Sequence, residues 1–398
     1  MRIVHVSDCY LPRTGGIEAQ VSDLARHQHA AGHEVRVFTA TPGPSGGRSG
    51  AVDDDGGVQV HRLGTRMPFD LPVNPAAAGA MRRLLTELRP DVVHVHVGVV
   101  SPFAFDGFRV AVRLGLPTAV TWHCMLDGVV APLRLGVHAG GWAGVPAALS
   151  AVSHAAAERV QRVFGAPVTV LPNGLDLATW APAVGAPDTD ATGTDATGTD
   201  APAEAGGPLR LVATMRLAPR KRAAALVDLV ADAVAAVGPD AVHLDLVGDG
   251  PLRSRVEARV ERRGLAPVVA VRGRLTRAEI RELYAGSEVF VAPAELEAFG
   301  IAALEARAAG LAVIARRGTG IEEFVLDEVD GLIVSSDAAM ADAVVRLARD
   351  RSLLGAIRSH NRTYPPRFDW SDALAAAAGE YARASALVAG APEAPKNS

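Results

Sequence analysis

Short runs in which nearly every residue is apolar recur along this chain, each followed by a longer stretch with helical spacing. That alternation constrains the fold more than any other feature. The first run is RIVHVS at Arg2–Ser7, ahead of a helical stretch at 18–31 that Gly32 stops, as a residue tolerant of positive φ should. VRVFT at 35–39 follows, then runs at 58–63, Val92–Val97, Thr118–Trp122, 149–152 and 168–171. Helices are expected between them at 76–88, 103–114 and 155–164. Strands apolar on both faces and alternating with helices indicate a parallel sheet covered on both sides.

The alternation breaks at 181–208, where DATGT occurs twice in tandem, at 190–194 and 195–199. A segment of Ala, Pro, Gly, Asp, Thr and Glu with one Val cannot bury enough apolar surface to offset its ordering entropy, so a disordered linker is expected. Beyond it the pattern resumes, with strands expected at 209–213, 243–247, 268–272, Val289–Ala292, 311–315 and Gly331–Val334. Helices fit 222–237, 252–263, Arg277–Ala285, 301–309 and 336–349. The expected organisation is an α/β domain at 1–180, the linker at 181–208, and a second α/β domain at 209–370. A last helix at 371–388 and a tail at 389–398 complete it. Each domain reads as Rossmann-like, a doubly wound parallel sheet whose ligands belong at the carboxyl ends of the strands.

Composition narrows the partners. Lys and Arg number 40 against 44 Asp and Glu, a net charge of −4, which argues against a protein that coats nucleic acid. No uninterrupted apolar run reaches the roughly 18 residues of a membrane span, and the start, MRIVHVSDCYLP, lacks the apolar core of a signal peptide. The two cysteines, Cys9 and Cys124, make neither a disulfide scaffold nor a four-thiolate zinc site. A soluble, cytoplasmic protein is expected. The apolar stretch 129–149, with Arg134 and His138, reads as a buried helix pair, peripheral membrane contact being its other reading.

Four motifs fall in the loops where chemistry is expected. Gly15 and Gly16 precede the first helix, where close backbone approach and free N–H groups favour an anion. Arg216, Arg220, Lys221 and Arg222 crowd the loop after the second domain's first strand, suited to neutralising a diphosphate. Gly248-Asp249-Gly250-Pro251 follows the next strand. Arg253 stands where the dinucleotide fingerprint needs its third glycine, which disfavours a nicotinamide-dependent oxidoreductase. Glu297 and Glu305 flank Phe299-Gly300-Ile301 at a helix start, and two such carboxylates can reach different hydroxyls of one extended ligand. Asp53-Asp54-Asp55 and Asp188-Thr189-Asp190 imitate a D-x-D metal pair but read as solvated loop acids.

Taken together, the Glu297-x-Phe-Gly-Ile-x-x-x-Glu305 segment and the pair Arg216 and Lys221 resemble the retaining glycosyltransferases of family 4, which have the GT-B fold. Gly15-Gly16, the 170–176 stretch VLPNGLD and Gly248-Asp-Gly-Pro251 add to the likeness, which runs in order from residue 1 to about 381. The resemblance implies two Rossmann-like domains facing across a cleft, with Phe368-Asp369-Trp370 leading into a helix that crosses back to the first. It implies that Arg216 and Lys221 bind a donor diphosphate, Glu305 the ribose hydroxyls, and Glu297 the hydroxyls of the transferred sugar. Backbone at Phe299, Gly300 and Ile301, with Gly15, Gly16 and Gly248, would hold the donor. His123 matches a position near the reacting centre, and His96 is a weaker candidate. The 318–323 loop departs from the family's Gly-Gly-x-Pro-Glu, with Glu322 in place of the proline.

The expected activity is therefore hexosyl transfer with retention, from a nucleotide diphosphate-sugar to an acceptor hydroxyl, without metal or resident cofactor. Arg216 and Lys221 supply the countercharge. The alternative is a catalytically inactive nucleotide-sugar-binding protein, which needs Arg216 and Lys221 but neither Glu297 nor His123.

Overall fold

The structure is a computed structural model that describes residues 1–13, 15–43, 50–64, 74, 76–139, 142, 144–182 and 207–390. It divides into two compact units, Met1–Gly174 with Phe368–Ser398, and Leu175–Arg367. Most of the expected linker, 183–206, and of the expected tail, 391–398, lies outside the described residues, as does Asp188-Thr189-Asp190.

The first unit opens with β1 (Arg2–Ser7), α1 (Gly16–Ala30), β2 (Glu34–Thr39), β3 (Ala51–Asp55) and β4 (Val58–Arg62). It continues through α2 (Ala77–Leu88), β5 (Val92–Val97), α3 (Pro102–Arg113), β6 (Thr118–Trp122) and α4 (Val130–Ala139). It then runs through β7 (Ala148–Ala151), α5 (His154–Phe164) and β8 (Thr169–Val170). The strands form one sheet in the order β3-β4-β2-β1-β5-β6-β7-β8, parallel except where β3 meets β4. The chain winds outward from β1 in both directions, so a switch point lies at the carboxyl ends of β1 and β5.

The second unit begins with α6 (Leu177–Trp180) and β9 (Leu209–Thr214), then α7 (Ala223–Val237), β10 (Val242–Val247), α8 (Arg253–Arg262), β11 (Val269–Gly273) and α9 (Arg277–Ala285). β12 (Val289–Ala292), α10 (Ile301–Ala308), β13 (Ala312–Arg316), β14 (Gly331–Val334), α11 (Asp337–Arg349) and α12 (Arg351–Thr363) follow. Its parallel sheet runs β11-β10-β9-β12-β13-β14, with the switch point between β9 and β12. One face of this sheet supplies a core of Leu, Val, Ile and Ala that packs against α7, α8, α11 and α12. Local signals agree with the elements. Thr276 and Glu279 form a reciprocal capping box on α9, and Ser153 caps α5, which Gly165 ends at φ 66°.

The last helix, α13 (Trp370–Ala389), belongs to the first unit. Trp370, Ala373, Ala377, Tyr381 and Ala384, at helical spacing, share a core with Ile3, Val21, Val37 and Val92. The Trp370 ring stacks on His27 with centroids 4.5 Å apart, and Thr169 donates to Glu380 at 2.6 Å.

Four expectations need correction. The domain boundary expected at 180 falls at Gly174, because Trp180 packs against Tyr284 of α9, ring centroids 5.8 Å apart. The second unit likewise ends at Arg367 rather than 370, since Trp370 is anchored in the first. Asp53-Asp54-Asp55 is not a solvated loop but strand β3. Asp55 there accepts from Tyr10 at 2.7 Å and Ser22 at 2.9 Å, and Asp53 pairs with Arg62. The 129–149 stretch is not a buried pair either, as Leu135 on α4 is 73% exposed. No described helix is long and apolar enough to cross a membrane.

The seat of α13 is testable at Gly174, where a Cβ would come within 2.5 Å of the Trp370 ring. Gly174→Val is expected to lower stability by about 1–3 kcal/mol, as overpacking does, read as a lower urea midpoint. An unchanged midpoint would refute the close fit.

Candidate active site

Two loops leave the second sheet at its switch point, 215–222 after β9 and 293–300 after β12. Lys221 Nζ donates to Glu297 Oε2 at 2.5 Å, so the loops are joined through two of the residues expected to act. Arg216 and Arg220 are exposed. Arg222 is committed elsewhere. Its guanidinium grips Asp337 through two bonds, 2.9 and 2.7 Å, and donates to the Pro293 carbonyl at 3.2 Å. Glu295 lies 3.0 Å from the same guanidinium, and Arg316 approaches both acids. The basic cluster thus separates into an ion-paired brace and an outer set able to meet an anion.

The glycines explain how these loops lie so close. Gly248 has φ 133°, and a Cβ there would fall 1.8 Å from the Met215 carbonyl oxygen. The turn lies flat behind the Arg216 loop, with Met215 N–H donating to Val247 at 3.0 Å and Leu217 N–H to Asp249 at 2.9 Å. Gly248 therefore acts as a spacer beneath Arg216. Gly300, at φ 89°, starts α10 with its missing Cβ 2.6 Å from Ile321 Cγ1. Gly320 N–H donates to the Glu297 carbonyl at 2.8 Å, and the Glu322 carboxylate accepts from Gly318 N–H, bracing the turn where a proline was expected.

No side chain caps α10, so its first turn at Ile301 presents backbone donors and a partial positive charge. The Phe299 ring is buried against Phe324, 5.5 Å between centroids. Glu305 is half-buried on the second turn of α10. Burial, and then the Glu305 charge, hold the Tyr284 phenol well above its ordinary range. Tyr284 O–H also donates to Thr214 at the end of β9, at 3.1 Å.

In the first unit Gly15 and Gly16 stand at the start of α1, which has no side-chain cap. A Cβ at Gly15 would press on the buried Glu18 carboxylate, 2.3 Å away, while one at Gly16 would meet nothing within 4 Å. His123 follows β6, half-buried, with Nε2 3.0 Å from His96 Nδ1. His96 Nε2 is in turn 2.9 Å from His5 Nδ1, so His96 is a buried link rather than a surface group. His5 and His94 escaped the sequence reading. The signal was there: His94 and His96 share one face of β5, and His5 is the register partner of His94.

These two loop systems on two doubly wound sheets match known proteins. The profile of Glycosyltransferase Family 4 fits residues 14–179, and that of Glycosyl transferases group 1 fits 208–350, together more than three quarters of the chain. The chain belongs to the family 4 glycosyltransferases. It is 28% identical to a GDP-mannose-dependent alpha-mannosyltransferase of Mycobacterium tuberculosis, over 88% of this chain and 89% of that one. It is 29% identical to a D-inositol 3-phosphate glycosyltransferase of Xylanimonas cellulosilytica, over 97% and 96%. Among solved structures it resembles HepE of Anabaena in complex with UDP and glucose, with TM-score 0.72, 18% identity and 96% and 99% coverage. Sucrose-phosphate synthase from Thermosynechococcus elongatus gives 0.73, 20%, and 97% and 99%. The fold is GT-B.

In this glycosyltransferase burial pushes His5 and His123 down to about 4 and holds His94 and His96 well below 6.5. His61 is lowered to about 4 by burial and then by Arg36. A histidine depressed in the folded state binds fewer protons there than when unfolded. Its stabilisation is whole above pH 6.5 and lost as pH falls towards 4, at about 1.4 kcal/mol per unit. Asp8, raised by burial to about 6, has the opposite sign between pH 6 and 4 but is one group against five. The melting temperature is therefore expected to fall steeply from pH 6.5 to 4.5. A flat profile would show that these rings protonate freely in the fold.

Proposed function

We propose that this glycosyltransferase moves a hexose, mannose being the first to test, from a nucleoside diphosphate-sugar to an acceptor hydroxyl with retention of the anomeric configuration. The observation that carries the reading is the Lys221–Glu297 pair beside the uncapped start of α10. One residue offers a cation to a leaving diphosphate, the other a carboxylate to sugar hydroxyls, and each already holds the other in place. Mannose and the guanine base are favoured by the relatives named for GDP-mannose.

In this mechanism Arg216 and Lys221 neutralise the diphosphate, and the α10 amides at Ile301 add donors to the charge that grows as the bond from the anomeric carbon to phosphate oxygen breaks. The bonding pair leaves with the phosphate. The acceptor oxygen attacks the anomeric carbon from the same face, and its proton passes to the departing phosphate oxygen. Glu305 takes the ribose hydroxyls and Glu297 those of the sugar. His123 and the uncapped Gly15-Gly16 start of α1 are the first unit's own candidates for substrate contact. Because the two cations supply the countercharge, turnover should not depend on a divalent ion. A phosphoinositol-type acceptor, free or lipid-borne, is supported by the relatives' names, and the exposed Leu135 on α4 suits a cytoplasmic enzyme working at a membrane surface.

The test is nucleotide release from UDP-, GDP- and ADP-sugars with inositol phosphate and phosphatidylinositol acceptors. GDP-mannose is expected to lead, EDTA to change nothing, and the product to keep the donor's anomeric configuration by NMR. Donor binding without release under any acceptor would instead indicate the inactive binding protein. Lys221→Ala and Glu297→Ala are each expected to reduce transfer by about two orders of magnitude with the fold intact. Near-normal turnover in either would overturn the site.

A further inference from the structure

A continuous line of hydrogen bonds crosses the interior of the first unit and ends at His123. Ser150 Oγ on β7 donates to the Val120 carbonyl at 3.2 Å and meets Thr121 Oγ1 on β6 at 2.8 Å. Thr121 Oγ1 is 2.7 Å from His94 Nε2, and His94 Nδ1 is 2.9 Å from the Tyr381 hydroxyl on α13. Gln28 on α1 joins Tyr381 at 2.8 Å to His5 Nε2 at 2.7 Å. His5 Nδ1 meets His96 Nε2 at 2.9 Å, and His96 Nδ1 meets His123 Nε2 at 3.0 Å. All members except His123 are almost fully buried.

The line has a direction, because a carbonyl only accepts. Ser150 spends its proton on Val120, so Thr121 donates to Ser150 and accepts from His94 Nε2–H. His94 Nδ1 is then an acceptor and takes the Tyr381 proton. Tyr381 accepts from the Gln28 amide nitrogen, and the Gln28 carbonyl oxygen accepts from His5 Nε2–H. His5 Nδ1 accepts from His96 Nε2–H, and His96 Nδ1 from His123 Nε2–H. Each ring is thereby neutral and of one tautomer, and His123 Nδ1 is left as the open acceptor end. His5, His94 and His96 lie close enough together to hold a metal ion, but all six of their ring nitrogens are engaged in this line. Nor can the line drain a proton, since it stops at the Gln28 amide after three imidazoles.

We propose that Tyr381 and Gln28, anchored on the Val120 carbonyl and acting through His5 and His96, are positioning residues that fix His123 as its Nε2–H tautomer and aim its Nδ1 lone pair at a substrate hydroxyl. This rests on the reading of His123 as a substrate contact. His123 then orients a hydroxyl as a hydrogen-bond acceptor, and the proton released in transfer leaves by the phosphate. Tyr381→Phe removes the hydroxyl that sets the Gln28 amide. Gln28 can then turn over, and the tautomers of His5, His96 and His123 are free to reverse together.

The test is a long-range ¹H–¹⁵N spectrum of the full-length protein labelled in its histidines, at pH 7.5, with His123 assigned by the signal lost in His123→Gln. The Nε2–H pattern is expected for His123. An Nδ1–H pattern, or one averaged between the two, overturns the proposal without recourse to any further variant. In Tyr381→Phe, and independently in Thr121→Val, the His123 nitrogens are expected to move towards the averaged pattern. kcat should fall about tenfold while donor KM stays within about twofold, since the ring remains but its lone pair is misassigned. Unmoved nitrogens in a folded variant overturn it as well. Should wild-type His123 show the expected tautomer while His123→Gln transfers normally, it is the substrate contact that fails and not the line.

Discussion

Main chain lies directly on main chain at the carboxyl edge of the second sheet, and the arrangement of the candidate site follows from that contact. A Cβ at Gly248 or Gly320 would fall within 2.0 Å of a carbonyl oxygen of the neighbouring loop, and one at Gly300 would enter the Ile321 side chain. With those side chains absent, the turns after β9, β10, β12 and β13 stack closely, and Lys221 on one comes within reach of Glu297 on another. Loops supported in this way lose little further freedom when a ligand binds, which is how a site held on a rigid frame keeps its electrostatic effect.

Charge is distributed on the same principle. Arg222 and Arg316 are tied to Asp337 and Glu295, and this network holds the start of α11 against the Arg222 junction, itself at φ 59°. The paired acids keep the brace near neutral, so the field at the loop surface comes from Arg216, Arg220 and the start of α10. Lys221 is half-buried and balanced by Glu297 until a stronger anion competes for it. A chain with net charge −4 can in this way carry a site for a dianionic leaving group without becoming a general polyanion binder.

How much of this was legible in the sequence depended on whether the cause was local. Strands such as Val289–Ala292 and the start of α10 at Ile301 were readable because burial on both faces and a glycine junction are written in adjacent residues. Glu297 and Glu305 were readable through spacing. The strand at Asp53-Asp54-Asp55 was not, because its acids are stabilised by Tyr10, Ser22 and Arg26, distant in sequence, and by Arg62 across the β3–β4 hairpin. The boundary at Gly174 depends on Trp180 meeting Tyr284, and the commitment of Arg222 on Asp337, more than a hundred residues away. Hydrophobic period predicts elements, but it does not name a polar group's partner.

The histidine line shows the same limit at its furthest. β1, β5 and β6 each read as uninterrupted apolar strands, yet His5, His94, His96 and Thr121 are polar residues placed at their centre. Burying so many polar atoms is costly unless every one is paired, and pairing them needs Gln28 from α1 and Tyr381 from α13 as well as four strands. The core of the first unit is therefore complete only when the chain returns at Phe368 and α13 is seated. Trp370 fixes the start of that helix against Gly174 and His27, and Tyr381, three turns on, delivers the one hydroxyl that joins the two halves of the line. An apolar residue at 381 would pack as well against Ala377 and Ala384, so packing alone does not call for a tyrosine there. What it supplies is a single proton of fixed direction, and the structure carries that direction to the histidine at the end of β6.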